Sequence, residues 1–309
     1  MIKPNRLQKG DTIGVIAPAG PPKMEKLKQA IPLIESFGLR VQLGKHVDKV
    51  HGYLAGTDQQ RLEDFHDMIA NPTIKAIIFA RGGYGTGRIA PFLDYQLVKN
   101  NPKIIWGYSD ITFLHTAIRQ LTGLVTFHGP MLASDLGKED FDTYSLSLFQ
   151  QLFDPETLIY SENNSINLNP LQILAPGEAE GQLVGGNLSL LNSTLGTPYE
   201  IDVKDKLLLI EDIGEEPYQV DSMLNQLKLS GKIEDANGII VGDFAETETE
   251  LTSSLTLEQV FQEYFADLSI PVMSGFNIGH CFPHFAVPLG TKARLSTSRK
   301  TLEIEPGVG

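Results

Sequence analysis

The chain has 309 residues, long enough for two domains that each bury a core. With 41% hydrophobic and 20% charged residues it is neither disordered nor fibrous in composition. A formal net charge of −13 argues against nucleic acid as a partner, because phosphate binding needs clustered Lys and Arg.

The opening segment, MIKPNRLQKGDTIGVIAPAG, enters a strand pattern without the apolar core and small-residue cleavage site of a secretory signal. No apolar run reaches the length of a membrane span, so a cytoplasmic protein with no membrane contact is expected. Residues 11–18 read as a strand, Met24, Leu27, Ile31 and Ile34 as one face of a helix ending at Gly38, and residues 39–44 as the next strand. Thr57 and Gln60 stand in capping-box spacing ahead of a helix through Leu62, Phe65 and Ile69, and residues 74–80 form a buried strand. Residues 80–89, ARGGYGTGRI, are a glycine-rich turn directly after that strand. The dinucleotide fingerprint G-x-G-x-x-G is incomplete here because Arg88 stands where its third glycine belongs; the frame of Gly85, Gly87 and Ala90 begins too far past the strand. Such glycines instead let backbone N–H groups approach a ligand oxygen, as an oxyanion hole requires.

The most informative stretch is KIIWGYSDITFLH, residues 103–115. Ile104, Ile105 and Trp106 form a strand apolar on both faces, and Asp110 opens an amphipathic helical pattern through Phe113, Leu114, Ala117 and Ile118. Between them Gly107 allows a sharp turn that lifts Ser109 out of the backbone, the first half of a G-x-S-x-G elbow whose second glycine is replaced by Ile111. The plainer reading is that Ser109 only caps the helix. After a strand at residues 124–130, the pattern loosens between Ser145 and Gly177, with the polar SENNSINLNP in its midst. Short strands at residues 206–212 and 237–244 follow. Alternating strands and helices predict an α/β fold: a doubly wound parallel-sheet domain at residues 1–144, a linker at 145–176, and a smaller mixed α/β domain rich in β at 177–309.

A serine hydroxyl needs a base, and the base a carboxylate. Among seven histidines, His46, His51 and His66 read as solvated, His115 as structural, and His128 as a residue lining the cleft. His280 and His284 share a glycine- and proline-bounded loop of the kind that presents functional side chains. Glu211 ends an apolar strand run, where a carboxylate is costly to bury unless a positive or donating group meets it. Asp212, Glu215 and Glu216 read as a solvated loop. The single Cys281 excludes an internal disulfide and a thiolate-rich metal site. Next to His280 on an extended segment it faces the other way, and is expected to be a small buried hydrophobe.

Together GDTIGVIAPAG, ARGGYGTGRI, GYSD, LVGGNLSLL, LIEDIGEEPYQVDSML and GHCFPHFAVPLG resemble the LD-carboxypeptidases, also called muramoyltetrapeptide carboxypeptidases. This family of serine peptidases includes the microcin C immunity peptidases. The resemblance implies Ser109 as nucleophile, Glu211 as orienting carboxylate and His280 as base, with the active site in the interdomain cleft. It implies an oxyanion hole from the backbone N–H of Asp110 and of Gly83, with Arg81 and Gly82 as candidates for substrate binding. The activity implied is release of terminal D-alanine from cytoplasmic murein tetrapeptides during peptidoglycan recycling, with no metal and no cofactor. A homodimer is expected. The chain has Asp221-Ser222 where family members often have Asp-Arg. The nearest alternative is hydrolysis of peptidyl or acyl-sulfamoyl adenylates, which needs an aromatic platform for adenine; Trp106, the only tryptophan, sits where burial is expected instead. A non-catalytic two-lobed small-ligand binder is the alternative of another class.

Overall fold

The computed structural model describes residues 1–162, 170–248 and 253–309. Most of SENNSINLNP lies outside the described residues. The chain divides into two compact units: the first holds residues 1–156, 286–290 and 306–309, and the second residues 157–285 and 291–305.

The first unit contains, in chain order, β1 (Thr12–Ile16), α1 (Met24–Glu35), β2 (Arg40–Leu43), α2 (Asp58–Ala70), β3 (Ile74–Phe79), α3 (Thr86–Ile89), α4 (Tyr95–Asn100), β4 (Ile104–Gly107), α5 (Ile111–Thr122), β5 (Thr126–His128) and α6 (Thr143–Ser147). Its sheet has the order β12-β5-β4-β3-β1-β2, in which β12 (Val287–Leu289) is a late strand that pairs antiparallel with β5. All other pairs are parallel. The sheet is doubly wound, as the alternation predicts. Leu27, Ala30 and Ile34 of α1 pack with Ile13, Val15 and Trp106 on one face, while Met68 of α2 meets Gly14 on the other. The strand order reverses between β1 and β3, so the loops after these two strands part there and leave a crevice at their carboxyl ends, where open α/β sheets take ligands.

Local chemistry explains these elements. Thr57 and Gln60 make the expected reciprocal cap of α2, with Gln60 N donating to Thr57 Oγ1 at 3.2 Å and Thr57 N to Gln60 Oε1 at 2.9 Å. Every residue of β4 is buried, and Trp106 donates its indole N–H to the Pro130 carbonyl at 2.8 Å. The helix α5 is more deeply buried than its amphipathic pattern suggests: Ile111 through Arg119 are all buried. Two of its buried polar residues bond backbone carbonyls: Thr122 Oγ1 donates to Ile118 at 2.7 Å and His115 Nε2 to Gly107 at 2.8 Å.

The second unit contains β6 (Leu158–Ser161), β7 (Gln172–Ala175), β8 (Glu178–Asn187), α7 (Leu188–Thr194), β9 (Leu207–Ile213), α8 (Pro217–Leu229), α9 (Lys232–Asp235), β10 (Gly238–Ala245), α10 (Leu257–Phe265), β11 (Val272–Ser274), β13 (Lys292–Ser296) and β14 (Thr301–Ile304). Among the described residues its strands run β6-β14-β13-β8-β9-β10-β11-β7. The central β8, β9, β10 and β11 are parallel, and the flanking pairs antiparallel. The span read as a linker therefore carries the end of α6 and two edge strands, β6 and β7, whose partners β14 and β11 lie far along the chain. The core between sheet and helices joins Val184, Leu208, Ile210 and Val241 to Leu191 of α7, Leu224 of α8 and Phe265 of α10.

Candidate active site

In the first unit the strand β4 ends in the turn that carries Ser109. Ser109 has φ +64°, a left-handed conformation costly for a residue with a Cβ, and it is only half-buried. Its neighbours hold it there. The Tyr108 hydroxyl donates to Asp135 Oδ1 at 3.0 Å, and Asp135, itself buried, accepts the Met131 N–H at 2.7 Å. Asp110 accepts the Thr86 N–H at 2.9 Å through its side chain, while its backbone carbonyl takes the Thr86 hydroxyl at 2.6 Å. Burial pushes the Asp110 carboxyl up, and the Thr86 bonds oppose that.

The glycine turn after β3 packs directly on this elbow. A Cβ on Gly82 would lie 3.0 Å from Ser109 Cβ and 3.2 Å from its Oγ, so only glycine leaves the hydroxyl this room. Gly82 accepts the Gly20 N–H at 2.9 Å, which ties the turn to the loop after β1. Gly83 has φ +114° and is exposed. Asp110 precedes α5 as its N-cap, so its N–H lies outside the helical ladder. Among the described residues neither of these two N–H groups donates to a backbone carbonyl. Arg81 is exposed and bonds the Pro21 carbonyl at 3.2 Å. It lines an open pocket with Gly20, Pro21, Gly83 and two exposed tyrosines, Tyr53 and Tyr84, whose rings meet edge to face at 5.7 Å. The tyrosines carry no sequence signal beyond being aromatic in polar loops.

In the second unit β9 delivers Glu211 with its side chain 0% exposed, and Oε2 accepts from His280 Nδ1 at 2.8 Å. The imidazole is the donating group that a carboxylate at the end of an apolar strand needs. Donation from Nδ1–H to Glu211 fixes the tautomer in which Nε2 carries the ring's lone pair. Gly279 makes the pairing possible: it has φ +136°, and a Cβ there would fall 2.8 Å from Glu211 Oε2. His284 is fully buried, whereas His280, the histidine that meets Glu211, is still partly exposed.

Two further carboxylates surround this pair. Asp212, read as part of a solvated loop, is instead buried: it accepts Asn187 Nδ2 at 2.7 Å, the Ser189 N–H at 2.8 Å and the Ile213 N–H at 2.9 Å. Burial, and then the Glu211 charge, push its carboxyl up to about 6. Asp243 on β10 is pushed up to about 6 by the same two causes in the same order, with His280 acting the other way. Its Oδ2 is buried and has no hydrogen-bond partner among the described residues. Alternation along a strand assigns Asp212 the face opposite Glu211, but only the sheet order reveals that both faces are covered.

The other candidates fall into structural roles. His115 is fully buried and donates to the Gly107 carbonyl at 2.8 Å; burial pushes it down to about 3, so it is neutral. His128 is buried beside the Tyr108 ring. His46 is not solvated but bonds Glu63 at 3.0 Å, and His66 accepts the Asp94 N–H at 3.0 Å. Cys281 is half-buried rather than buried, its Sγ 3.6 Å from the Pro283 carbonyl. At the departure from the usual Asp-Arg pair, Asp221 accepts the Tyr264 hydroxyl at 2.5 Å.

Residues 13–129 match the model of the LD-carboxypeptidase N-terminal domain and residues 180–295 that of the C-terminal domain. The chain is 55% identical over 307 residues to the probable murein peptide carboxypeptidase of Bacillus subtilis, covering 99% of this chain and 95% of that one. It is similar to the crystal structure of muramoyltetrapeptide carboxypeptidase from Oxalobacter formigenes, with TM-score 0.83 and 31% identity over 95% of this chain and 98% of that one. It is also similar to the structure of MccF in complex with glutamyl sulfamoyl guanosine, with TM-score 0.90 and 28% identity over 99% of this chain and 98% of that one.

Proposed function

The chain belongs to the LD-carboxypeptidase family of serine peptidases, and from that premise we propose that it releases terminal D-alanine from murein tetrapeptides through an acyl-enzyme on Ser109. The observation that carries the reading is the buried Glu211 carboxylate on His280 Nδ1 at 2.8 Å, a pairing that only a base in need of a fixed tautomer explains economically.

His280 Nε2 takes the proton of Ser109 as the hydroxyl oxygen attacks the carbonyl carbon of the L,D amide bond. Glu211 stabilises the imidazolium that forms. The Gly83 and Asp110 N–H groups receive the negative charge that develops on the carbonyl oxygen. His280 then hands its proton to the departing amine of D-alanine, and a water, deprotonated by the same imidazole, attacks the ester and frees Ser109 and the shortened peptide. The left-handed backbone at Ser109 and the closeness of Gly82 support the nucleophile assignment, since both keep the hydroxyl clear of the helix it precedes. Arg81, exposed in the pocket that Gly83 also lines, is suited to the terminal carboxylate, with Gly82 beside it. The place of action is the cytoplasm, in murein recycling, and the working form is a homodimer; no helix among the described residues is long and apolar enough to cross a membrane.

The likeness to MccF favours a second reading, hydrolysis of acyl-sulfamoyl adenylates. Trp106 is 1% exposed and gives no platform for adenine, which supports the first. Turnover of lysine- and diaminopimelate-containing murein tetrapeptides, compared by mass spectrometry with that of an aspartyl sulfamoyl adenosine, separates the two. The expected result is D-alanine release that Ser109→Ala abolishes; turnover of the adenylate alone overturns the first reading.

A further inference from the structure

Arg61 takes no part in the chemistry above, yet it is among the largest fully buried side chains of the protein. Its Nη1 donates to the Pro18 carbonyl and, at 2.9 Å, to the Gly85 carbonyl; its Nη2 pairs with Asp58 at 2.6 Å. Pro18 lies just after β1 and Gly85 in the turn after β3, so one guanidinium bridges the two loops that part at the switch point of the sheet. Stability is a poor reason for such a group. An ion is costly to bury before it is paired, an apolar replacement is often neutral or better, and Arg61 Nε has no partner among the described residues.

The turn it grips holds the oxyanion donor. After Gly83 in the turn, Arg61 fixes the Gly85 carbonyl and Asp110 the Thr86 N–H; before it, Gly20 fixes the Gly82 carbonyl. Gly83 lies between these anchors. We propose that Arg61 is a positioning residue for the oxyanion hole, setting the glycine turn so that the Gly83 N–H points at the carbonyl oxygen of a substrate on Ser109. The inference rests on the assignment of Ser109 and Gly83 made above. Lysine is no substitute, because a single ammonium lacks the planar fork that spans two carbonyls and a carboxylate. A donor displaced by about 1 Å costs on the order of 10²-fold in rate.

The test uses the full-length protein and a fluorophosphonate, whose phosphoryl oxygen occupies the oxyanion hole while Ser109 displaces fluoride and forms a phosphonate ester. The rate of Ser109 labelling therefore reads the turn without any murein peptide. Arg61→Met and Arg61→Lys should each label roughly 10- to 100-fold more slowly, with a parallel fall in kcat on the tetrapeptide and KM within about twofold of wild type. Arg88→Met, which removes the outer partner of Asp58, should label at the wild-type rate. If Arg61→Met does not fold, judged by its thermal midpoint, the lysine variant decides. Wild-type labelling rates in the folded Arg61 variants, or a rise in KM with labelling unchanged, overturn the inference. A wild-type protein that does not label at all overturns the Ser109 assignment, and this inference with it.

Discussion

Gly279→Ala places one methyl group against the heart of the Glu211–His280 pair. The added Cβ would sit 2.8 Å from Glu211 Oε2 and 3.0 Å from its Cβ, closer than a real Cβ tolerates. Oε2 is the oxygen that accepts from His280 Nδ1 at 2.8 Å, so the carboxylate can escape the methyl only by leaving the imidazole. The backbone adds its own strain, since φ +136° is a glycine conformation that costs other residues about 1–3 kcal/mol. A charge-assisted hydrogen bond weakened or lost is worth a further ~1.5–3 kcal/mol. Urea unfolding should therefore show a loss of roughly 2–6 kcal/mol, bounded above by simple addition of the two effects. In catalysis the imidazole loses its fixed tautomer, and by the precedent of triads with a disabled carboxylate kcat should fall about 10²- to 10⁴-fold with KM nearly unchanged. Wild-type kcat in a folded Gly279→Ala protein would show that the Glu211–His280 contact does not serve the reaction.

Glu211→Gln removes a charge that, after burial, is the second cause raising Asp212 and Asp243 to about 6, so both carboxyls should titrate lower in the variant by NMR, and kcat should fall; unmoved titrations would mean that Glu211 does not act on them. Asp243 keeps its proton up to about pH 6 when folded but releases it near pH 4 when unfolded, so its contribution to stability is full below about pH 4 and is lost as pH rises through about 6. Asp243→Asn should remove that slope and, discounted for the partial exposure of the group, stabilise the protein at pH 7 by about 1–2 kcal/mol in urea unfolding. A variant less stable at pH 7 than wild type contradicts this.

Much of the fold was legible because its signals are local. The capping box at Thr57, the apolar run into Trp106 and the glycine of the elbow each act within a few residues, and the alternation of strands and helices fixed a parallel sheet. Glu211 was conspicuous for the same reason, as a charge at the end of an apolar strand. Its partner was not: Glu211 and His280 are 69 residues apart, and no pattern in the loop distinguishes His280 from His284. Only the family resemblance chose between them. Asp212 and Asp243 were misread or missed because their burial depends on which strands flank β9 and β10. Likewise β6 and β7 look like linker, since an edge strand needs only one partner and theirs are distant in sequence. Arg61 gave no signal at all, because a charged residue on an amphipathic helix reads as solvated until the loops above it are in place.

If His280 activates Ser109, an acyl-enzyme should form on Ser109 only while His280 is present. Rapid acid quench of the protein mixed with murein tetrapeptide, followed by peptide mapping in a mass spectrometer, should find the shortened peptide esterified to Ser109 in wild type and no adduct in His280→Ala on the same timescale. An adduct on another residue, or Ser109 acylated as fast without His280 as with it, would show that His280 is not the base for Ser109.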